Sequence, residues 1–162
     1  MIVVSDTSPI VNFACIRRLD LLRSLYDRVL IPPSVRRELT GANQDARGLI
    51  ELALNSWMSV EAPKDQQLVL QLCSKLDAGE AEAIVLALEQ QAGLVLIDEK
   101  LGREAAKSFG LHITGLLGVL VEARKAHLID RVKPVLDQLM SEARFWIAPD
   151  LYREVLITVR EI

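Results

Sequence analysis

Aromatic residues are scarce in this sequence: they make up 4% of its 162 residues, while apolar residues of all kinds make up 51%. The core is therefore expected to be aliphatic. Cysteine and histidine are also scarce, and each copy stands isolated, at Cys15, Cys73, His112 and His127. This spacing excludes a disulfide framework and argues against a zinc site, which needs clustered ligands.

Long apolar runs are absent as well, since none approaches the roughly 18 residues that a membrane span needs. The first residues lack the basic start and the small-residue cleavage site of a signal peptide, and an acid already stands at Asp6. The sequence thus predicts a cytoplasmic protein with no membrane association. It shows no linker, repeat or low-complexity segment, so we expect a single domain over residues 1–162.

Positive charge is not in excess, because the formal net charge is −3. This balance argues against a protein that coats nucleic acid by bulk electrostatics. It is compatible with an enzyme that meets phosphate groups through bound cations and a few local arginines.

Short apolar segments alternate with helical patterns, which is typical of α/β proteins. The expected strands are residues 2–4, 29–31, 58–60, 94–97 and 111–114. The expected helices are residues 9–25, 33–41, 45–54, 65–76, 77–88, 100–109, 116–126, 130–143 and 150–160. We therefore predict a three-layer α/β/α fold with a short-stranded, mainly parallel central sheet.

Two of the expected strands run into an acidic residue. The strand over residues 2–4 leads to Asp6, and the strand over 94–97 leads to Asp98. Ligands of open α/β sheets bind at the carboxyl ends of the strands, so both acids are candidate site residues. The alternative for each is a turn or helix-capping role, although Ser8 is itself predicted as the N-cap of the first helix.

Two further acids lie inside predicted helices. Glu38 borders the apolar side of its helix, and Glu80 shares a face with the apolar residues of the next turn. Glu82 lines up with Glu89 on the opposite face and is predicted to point to solvent. A solvated acid beside basic residues is the alternative for Glu38, and a capping box with Asp77 is the alternative for Glu80.

Four inward-facing acids at one edge of a sheet repel one another. At ~5 Å and an effective dielectric of about 20, each pair of like charges costs on the order of 3 kcal/mol. Such a cluster must hold protons or bind a cation. Oxygen ligands without Cys or His select Mg²⁺ or Mn²⁺, which also bind phosphate oxygens and activate water. The pattern therefore indicates phosphodiester hydrolysis.

Four motifs carry these acids in a fixed order: Val-Val-Ser-Asp6-Thr-Ser-Pro-Ile, Ile31-Pro-Pro-Ser-Val-x-x-Glu38-Leu, Leu76-Asp-x-Gly-Glu80-Ala-Glu-Ala-Ile and Leu96-Ile-Asp98-Glu. Their order and spacing resemble those of PIN domains. The resemblance is closest to a branch long catalogued as a domain of unknown function and grouped with VapC-type toxins. It covers nearly the whole chain.

The resemblance implies a divalent-metal ribonuclease site. By position, Asp6, Glu38, Glu80 and Asp98 match the four acids that act in catalysis and bind the metal, Mg²⁺ or Mn²⁺. Ser8 matches a small hydroxyl residue that supports the first acid. One departure is at the third position, where the wider family more often has Asp than Glu.

Residues that follow Asp98 extend the candidate site. Glu99 is an additional candidate metal ligand, although no acid follows three residues on. Lys100, Arg103 and Lys107 are candidates for contacts with an RNA backbone, and a solvated helix face is the alternative for them. Because exposed aromatics are few, we expect recognition by backbone shape and a handful of side chains rather than by a stacking platform.

The resemblance also implies partners: an RNA substrate, a second copy of the chain in a homodimer, and a small antitoxin that inhibits the toxin half of a toxin–antitoxin pair. The C-terminal helical segment, residues 144–162, is unusually aromatic for this chain, with Phe145, Trp146 and Tyr152, and its last helix carries an apolar stripe. Packing on the protein's own core and packing on a partner are both compatible with that stripe.

Two other functions compete with a metal-dependent ribonuclease. The first is a catalytically silent PIN-like module that binds RNA or protein. The second is a phosphatase in which Asp6 accepts the phosphoryl group. Such enzymes usually have another acid two residues later, where this sequence has Ser8.

Overall fold

The computed structural model describes all 162 residues and contains one five-stranded sheet. The strands are β1 (Val3–Ser5), β2 (Val29–Ile31), β3 (Met58–Val60), β4 (Leu94–Leu96) and β5 (Ile113–Thr114). Their order across the sheet is β3-β2-β1-β4-β5, and every neighbouring pair is parallel. All five carboxyl ends therefore lie at one edge, with β1 in the middle.

Ten helices surround this sheet. They are α1 (Thr7–Cys15), α2 (Leu19–Tyr26), α3 (Pro33–Leu39), α4 (Gln44–Leu54), α5 (Gln66–Leu72), α6 (Ala78–Glu89), α7 (Lys100–Ser108), α8 (Leu116–Lys125), α9 (Val132–Glu142) and α10 (Pro149–Thr158). None of them combines the length and the apolar composition that a bilayer crossing requires.

Two aliphatic cores lie on opposite faces of the sheet. Consecutive strand residues point to opposite faces, so Val3 joins the larger core with α1 to α4 and α8 to α10, while Val4 joins the smaller core with α5 to α7. The larger cluster has 28 buried residues and the smaller one 12. The predicted three-layer α/β/α fold with a parallel sheet is thus confirmed.

The first predicted helix differs from the structure at both its start and its middle. It was expected over residues 9–25 with Ser8 as its N-cap. Instead α1 begins at Thr7 and Asp6 holds the N-cap position, because the chain turns into the helix directly after β1. A break at Arg17, whose φ is 58°, separates α1 from α2. No Gly or Pro marks that break in the sequence.

Helix α6 is buried on all sides, as its apolar composition predicted, and this burial corrects the prediction for Glu82. Glu82 was expected to point to solvent, yet it is 9% exposed and accepts a hydrogen bond from the Ser34 backbone N–H at 2.7 Å. The face opposite Glu80 is covered by α3 rather than by water. Glu82 on that face therefore accepts a hydrogen bond from a backbone N–H that has no acceptor within α3.

The C-terminal segment packs only in part on the protein's own core. Val155 and Leu156 of α10 are buried, whereas Trp146 is 79% exposed and Leu151 42%. The Glu161 carboxylate holds the C-terminal residues against α9, because it accepts hydrogen bonds from the first backbone N–H groups of that helix. The segment is thus anchored at both its helix and its tail, with an exposed aromatic side chain before the helix.

Candidate active site

Asp6 stands where β1 ends, at the centre of the carboxyl edge of the sheet. Its backbone N–H donates to the Leu96 carbonyl of β4 at 2.9 Å, which fixes the residue in the sheet. The residue is 4% exposed, and its Oδ1 atom is buried with no hydrogen-bond partner. A buried carboxylate oxygen without a donor is costly unless it holds a proton or a cation.

Glu38 reaches the same place from the last turns of α3. Its Oε2 accepts a hydrogen bond from the hydroxyl of Thr7, the residue that follows Asp6. A Cβ atom placed on Gly79 would lie 2.9 Å from Glu38 Oε1 and 3.2 Å from Asp6 Oδ1. Both carboxylates therefore lie against the backbone of one glycine, at the start of α6.

Glu80 comes next in α6 and is 5% exposed. Its backbone N–H donates to the Asp77 side chain at 2.8 Å, so Asp77 caps the helix as the sequence suggested. Capping by Asp77 uses the Glu80 backbone, and a hydrogen bond between the two side chains also helps to raise the pKa of Glu80. A Cβ on Gly102 would lie 3.2 Å from Glu80 Oε2, which places this carboxylate close to α7.

Asp98 follows β4 and is the most firmly held of the acids. Its Oδ1 accepts from the Leu116 backbone N–H at 2.7 Å, and its Oδ2 accepts from the Ser8 hydroxyl at 3.3 Å. Asn12 donates to Ser8 Oγ at 3.0 Å. A Cβ on Gly115 would lie 2.6 Å from Asp98 Oδ1, so only glycine fits there without a shift.

The role of Ser8 thus differs from the expectation. It was expected to cap α1 and to support the first acid, Asp6. It lies inside the helix and donates to Asp98 instead. The reason is that α1 begins one residue after Asp6, which turns the Ser8 side chain toward β4.

The negative charges in this cluster change the acidity of Asp6. Burial raises the pKa of Asp6 to about 7, and the charges of Asp77, Glu38 and Asp98 add to the rise. Each of these three neighbouring acids thus makes the Asp6 carboxyl group harder to ionise. Near neutral pH its carboxyl group is partly protonated when no cation is present.

Glu80 and Asp98 are shifted in the same direction. Burial raises the pKa of Glu80 to about 8, with further rises from Asp77 and Asp6. Burial also raises the pKa of Asp98, although its hydrogen bonds and the positive charge of Arg103 work against the rise. Strong shifts of several acids at one sheet edge are typical of functional sites.

The other candidates lie around the cluster at differing distances. Glu99 is exposed at the start of α7, and its charge contributes to the raised pKa values of Glu80 and Asp98. Arg103 is exposed on α7 close enough to Asp98 to affect its acidity. Lys100 and Lys107 are exposed on the same helix, and no ion pair joins them to the acids.

Sequence reasoning missed several residues that shape this site: Thr7, Asn12, Asp77 as a charged neighbour, Gly79 and Gly115. Thr7 and Asn12 carried a usable signal, since one adjoins Asp6 and the other lies one helical turn after Ser8. Gly79 and Gly115 carried no such signal, because the lack of room for a Cβ at these positions arises only when distant segments pack together.

The donor set suits a hard divalent cation, because it consists of oxygen atoms and includes one buried oxygen without a donor. No three His, Cys, Asp or Glu side chains are arranged as a ready-made coordination shell. Carboxylates without a counter-ion repel one another, so electrostatics favours a spread arrangement until a cation draws them together. The chemistry of the residues fits a divalent metal.

A family model described as a PIN domain matches residues 2–161. The comparison with curated proteins found no match. PIN domains are in general nucleases that act on RNA, and they typically use divalent metals. Because the match spans nearly the full length, the chain belongs to the PIN-domain family.

Proposed function

We propose that this protein is a Mg²⁺- or Mn²⁺-dependent endoribonuclease that hydrolyses RNA phosphodiester bonds. The observation that carries the proposal is the Oδ1 atom of Asp6, a buried oxygen without a donor among other acids. A hydrogen bond from the Thr7 backbone lowers the pKa of the Asp6 carboxyl group, yet its Oδ1 atom has no donor. A cation-binding role accounts for the cost of burying it.

Asp6, Glu38, Glu80 and Asp98 would hold the divalent metal, and Glu99 lies where it could hold a second. Such an ion, when bound, lowers the pKa of a water molecule and neutralises charge on the phosphate. The chain's own contribution is to hold these carboxylates in place. It does so through donors that keep both Asp98 oxygens and one Glu38 oxygen oriented.

Cationic side chains supply the contact with RNA. Arg103 lies beside Asp98, and its planar guanidinium group suits a phosphate next to the one that is cleaved. Lys100 and Lys107 on the same helix extend this positive side. Together they would place the RNA backbone along α7 with its reactive phosphate over the acids.

The biological setting we propose is the toxin half of a VapC-like toxin–antitoxin pair, active in the cytoplasm as a homodimer and restrained by a small antitoxin protein. Residues 1–162 form one PIN-like domain in this proposal. The exposed apolar side chains of the C-terminal segment 144–162 support a protein contact there.

The alternative, a catalytically silent PIN-like module that binds RNA or protein, is favoured by one observation: the acids form no ready-made coordination shell. Calorimetric titration with Mn²⁺ separates the two. Heat of binding that is lost in Asp6→Asn supports the ribonuclease, and no detectable binding supports the silent module.

The decisive experiment compares purified wild type with Asp98→Asn on structured RNAs in Mn²⁺ and in EDTA. We expect cleavage by wild type in Mn²⁺ alone and none by Asp98→Asn. The matched control is Asp130→Asn, an exposed acid outside the cluster, which should cleave as wild type does. Equal cleavage by Asp98→Asn and wild type would contradict the proposal.

A further inference from the structure

A groove of about 440 Å³ opens beside the acid cluster. We call it the aromatic groove and define it by six residues of its lining: Asp98, Arg103, Gly115, Phe145, Trp146 and Leu151. Its charged lining consists of Asp98 and Arg103, and most of the rest is apolar. The groove thus shares Asp98 with the proposed active site, and its lining is otherwise mainly apolar.

Trp146 is the unusual member of this lining. It is 79% exposed in a chain whose other tryptophan, Trp57, is 9% exposed. Its neighbours hold the backbone in place, since Ile147 is buried and the Phe145 backbone N–H donates to the Leu139 carbonyl at 3.1 Å. The indole is therefore presented to solvent by an anchored segment, which favours binding of a ligand over simple surface exposure.

The chemistry of the lining selects the occupant. An RNA strand whose phosphate lies over the acids must continue onto a surface that adjoins them, and Asp98 belongs both to the acid cluster and to the lining of the aromatic groove. Arg103 offers a cation to a phosphate at that junction, and Trp146 offers a flat face to a base beyond it. Single-stranded RNA is recognised by this combination of a cation and an aromatic surface.

We propose that the aromatic groove is a nucleobase subsite, in which a base next to the cleaved phosphate stacks on Trp146 while Arg103 contacts the intervening phosphate. This inference rests on the proposed ribonuclease function and adds to it a specific contact, the stacking of a base beside the cleavage point on Trp146. It differs from the expectation, drawn from the scarcity of exposed aromatics, that recognition depends on backbone shape and a handful of side chains rather than on a stacking platform.

Intrinsic fluorescence tests the subsite without requiring cleavage, because Trp146 is the exposed tryptophan. The probe is a short single-stranded RNA, titrated in Ca²⁺, which binds oxygen ligands, and compared with an abasic RNA of equal length and charge. We expect the RNA to quench the fluorescence and the abasic chain to bind about 5- to 100-fold more weakly.

Variants give the second arm of the test. Trp146→Ala should weaken binding of the RNA by about 5- to 100-fold in an anisotropy assay, and Trp146→Phe should restore part of it. Phe109→Ala, which removes an exposed aromatic outside the groove, is the matched control and should bind as wild type does. Circular dichroism checks that each variant is folded.

The outcomes separate this inference from the proposed function. Unchanged RNA affinity in Trp146→Ala, or equal binding of the abasic chain, overturns the subsite even where wild type cleaves RNA in Mn²⁺. Stacking without cleavage supports the subsite and contradicts the ribonuclease. Self-association that Trp146→Ala abolishes, with RNA affinity unchanged, overturns the subsite and assigns the groove to a second copy of the chain.

Discussion

Glu82 of α6 accepts a hydrogen bond from the Ser34 backbone N–H at the start of α3, at 2.7 Å. The contact joins the helix that carries Glu80 to the helix that carries Glu38. A carboxylate at the N-terminus of a helix satisfies a free N–H and is favoured by the helix dipole. Glu82 is thus a positioning residue for Glu38, although it does not itself face the acid cluster.

Glu82→Ala should lower the free energy of unfolding by about 1–3 kcal/mol, because it leaves the Ser34 N–H buried without an acceptor. It should also lower RNA cleavage by about tenfold or more at a temperature where the variant is folded, because α3 shifts. Glu82→Gln keeps an acceptor oxygen, so its stability and its cleavage rate should lie between those of wild type and Glu82→Ala. Urea unfolding and an RNA cleavage assay measure both effects.

The matched control is Glu89→Ala on the same helix. Glu89 accepts hydrogen bonds from the backbone N–H groups of Lys64 and Asp65, so it plays a similar part far from Glu38. Its loss should reduce stability while leaving cleavage by the folded protein near the wild-type rate. Equal loss of cleavage in both variants would show that stability alone explains the effect of Glu82→Ala.

Gly115→Ala should reduce RNA cleavage by about 100-fold with the fold retained. The added Cβ would lie 2.6 Å from Asp98 Oδ1, which forces the carboxylate away from the Leu116 N–H. Gly48→Ala is the contrasting variant, because nothing lies within 4 Å of its Cβ position in α4. It should gain about 0.5–1 kcal/mol of stability and cleave normally. Wild-type cleavage by Gly115→Ala would show that Asp98 need not be held there.

Strand ends predicted that Asp6 and Asp98 lie at one edge of the sheet, and the helix face predicted that Glu80 is buried, whereas Glu38 was expected to face inward and is exposed. Asp6 and Asp98 follow apolar strands, and a parallel sheet brings such ends together. The facing of Glu82 could not be predicted, since helical spacing gives the face of a residue but not what covers that face. The start of α1 could not be predicted either, because the sequence does not show how sharply the chain turns after β1. The approach of Gly115 to Asp98 joins distant segments and leaves no local pattern.

Without divalent cations, the stability of the protein should fall as the pH rises from about 5 to 8. Burial raises the pKa of Asp6 to about 7 from its ordinary value of 3.8, so the folded state binds a proton that the unfolded state has released. The stability gained from this protonation is present at low pH and is lost on the way to pH 7. The loss is on the order of 3 kcal/mol.

Urea unfolding in EDTA across this pH range measures the effect. Asp6→Asn, which cannot ionise, should weaken the dependence on pH and leave the part that Glu80 contributes, whereas Asp130→Asn should leave the whole dependence in place. Mn²⁺ at about 100 times its dissociation constant should add about 2.7 kcal/mol at pH 8 to wild type. A wild-type stability that rises from pH 5 to 8 in EDTA would be inconsistent with a protonated Asp6.

Glu161→Ala should destabilise the C-terminal segment without changing the chemistry of the acid cluster. The Glu161 carboxylate accepts from the Val132 and Lys133 backbone N–H groups at 2.6 and 2.9 Å and lies 3.7 Å from Arg131. Its removal leaves two donors at the start of α9 without an acceptor, which should cost about 1–3 kcal/mol.

The control variant is Glu154→Ala, which removes an exposed acid of α10 and should change the free energy of unfolding little. Hydrogen exchange should therefore quicken in α9 and α10 of Glu161→Ala alone, while RNA cleavage at a temperature where it is folded stays at the wild-type rate. A fall in that rate would mean that the anchored tail also supports the aromatic groove.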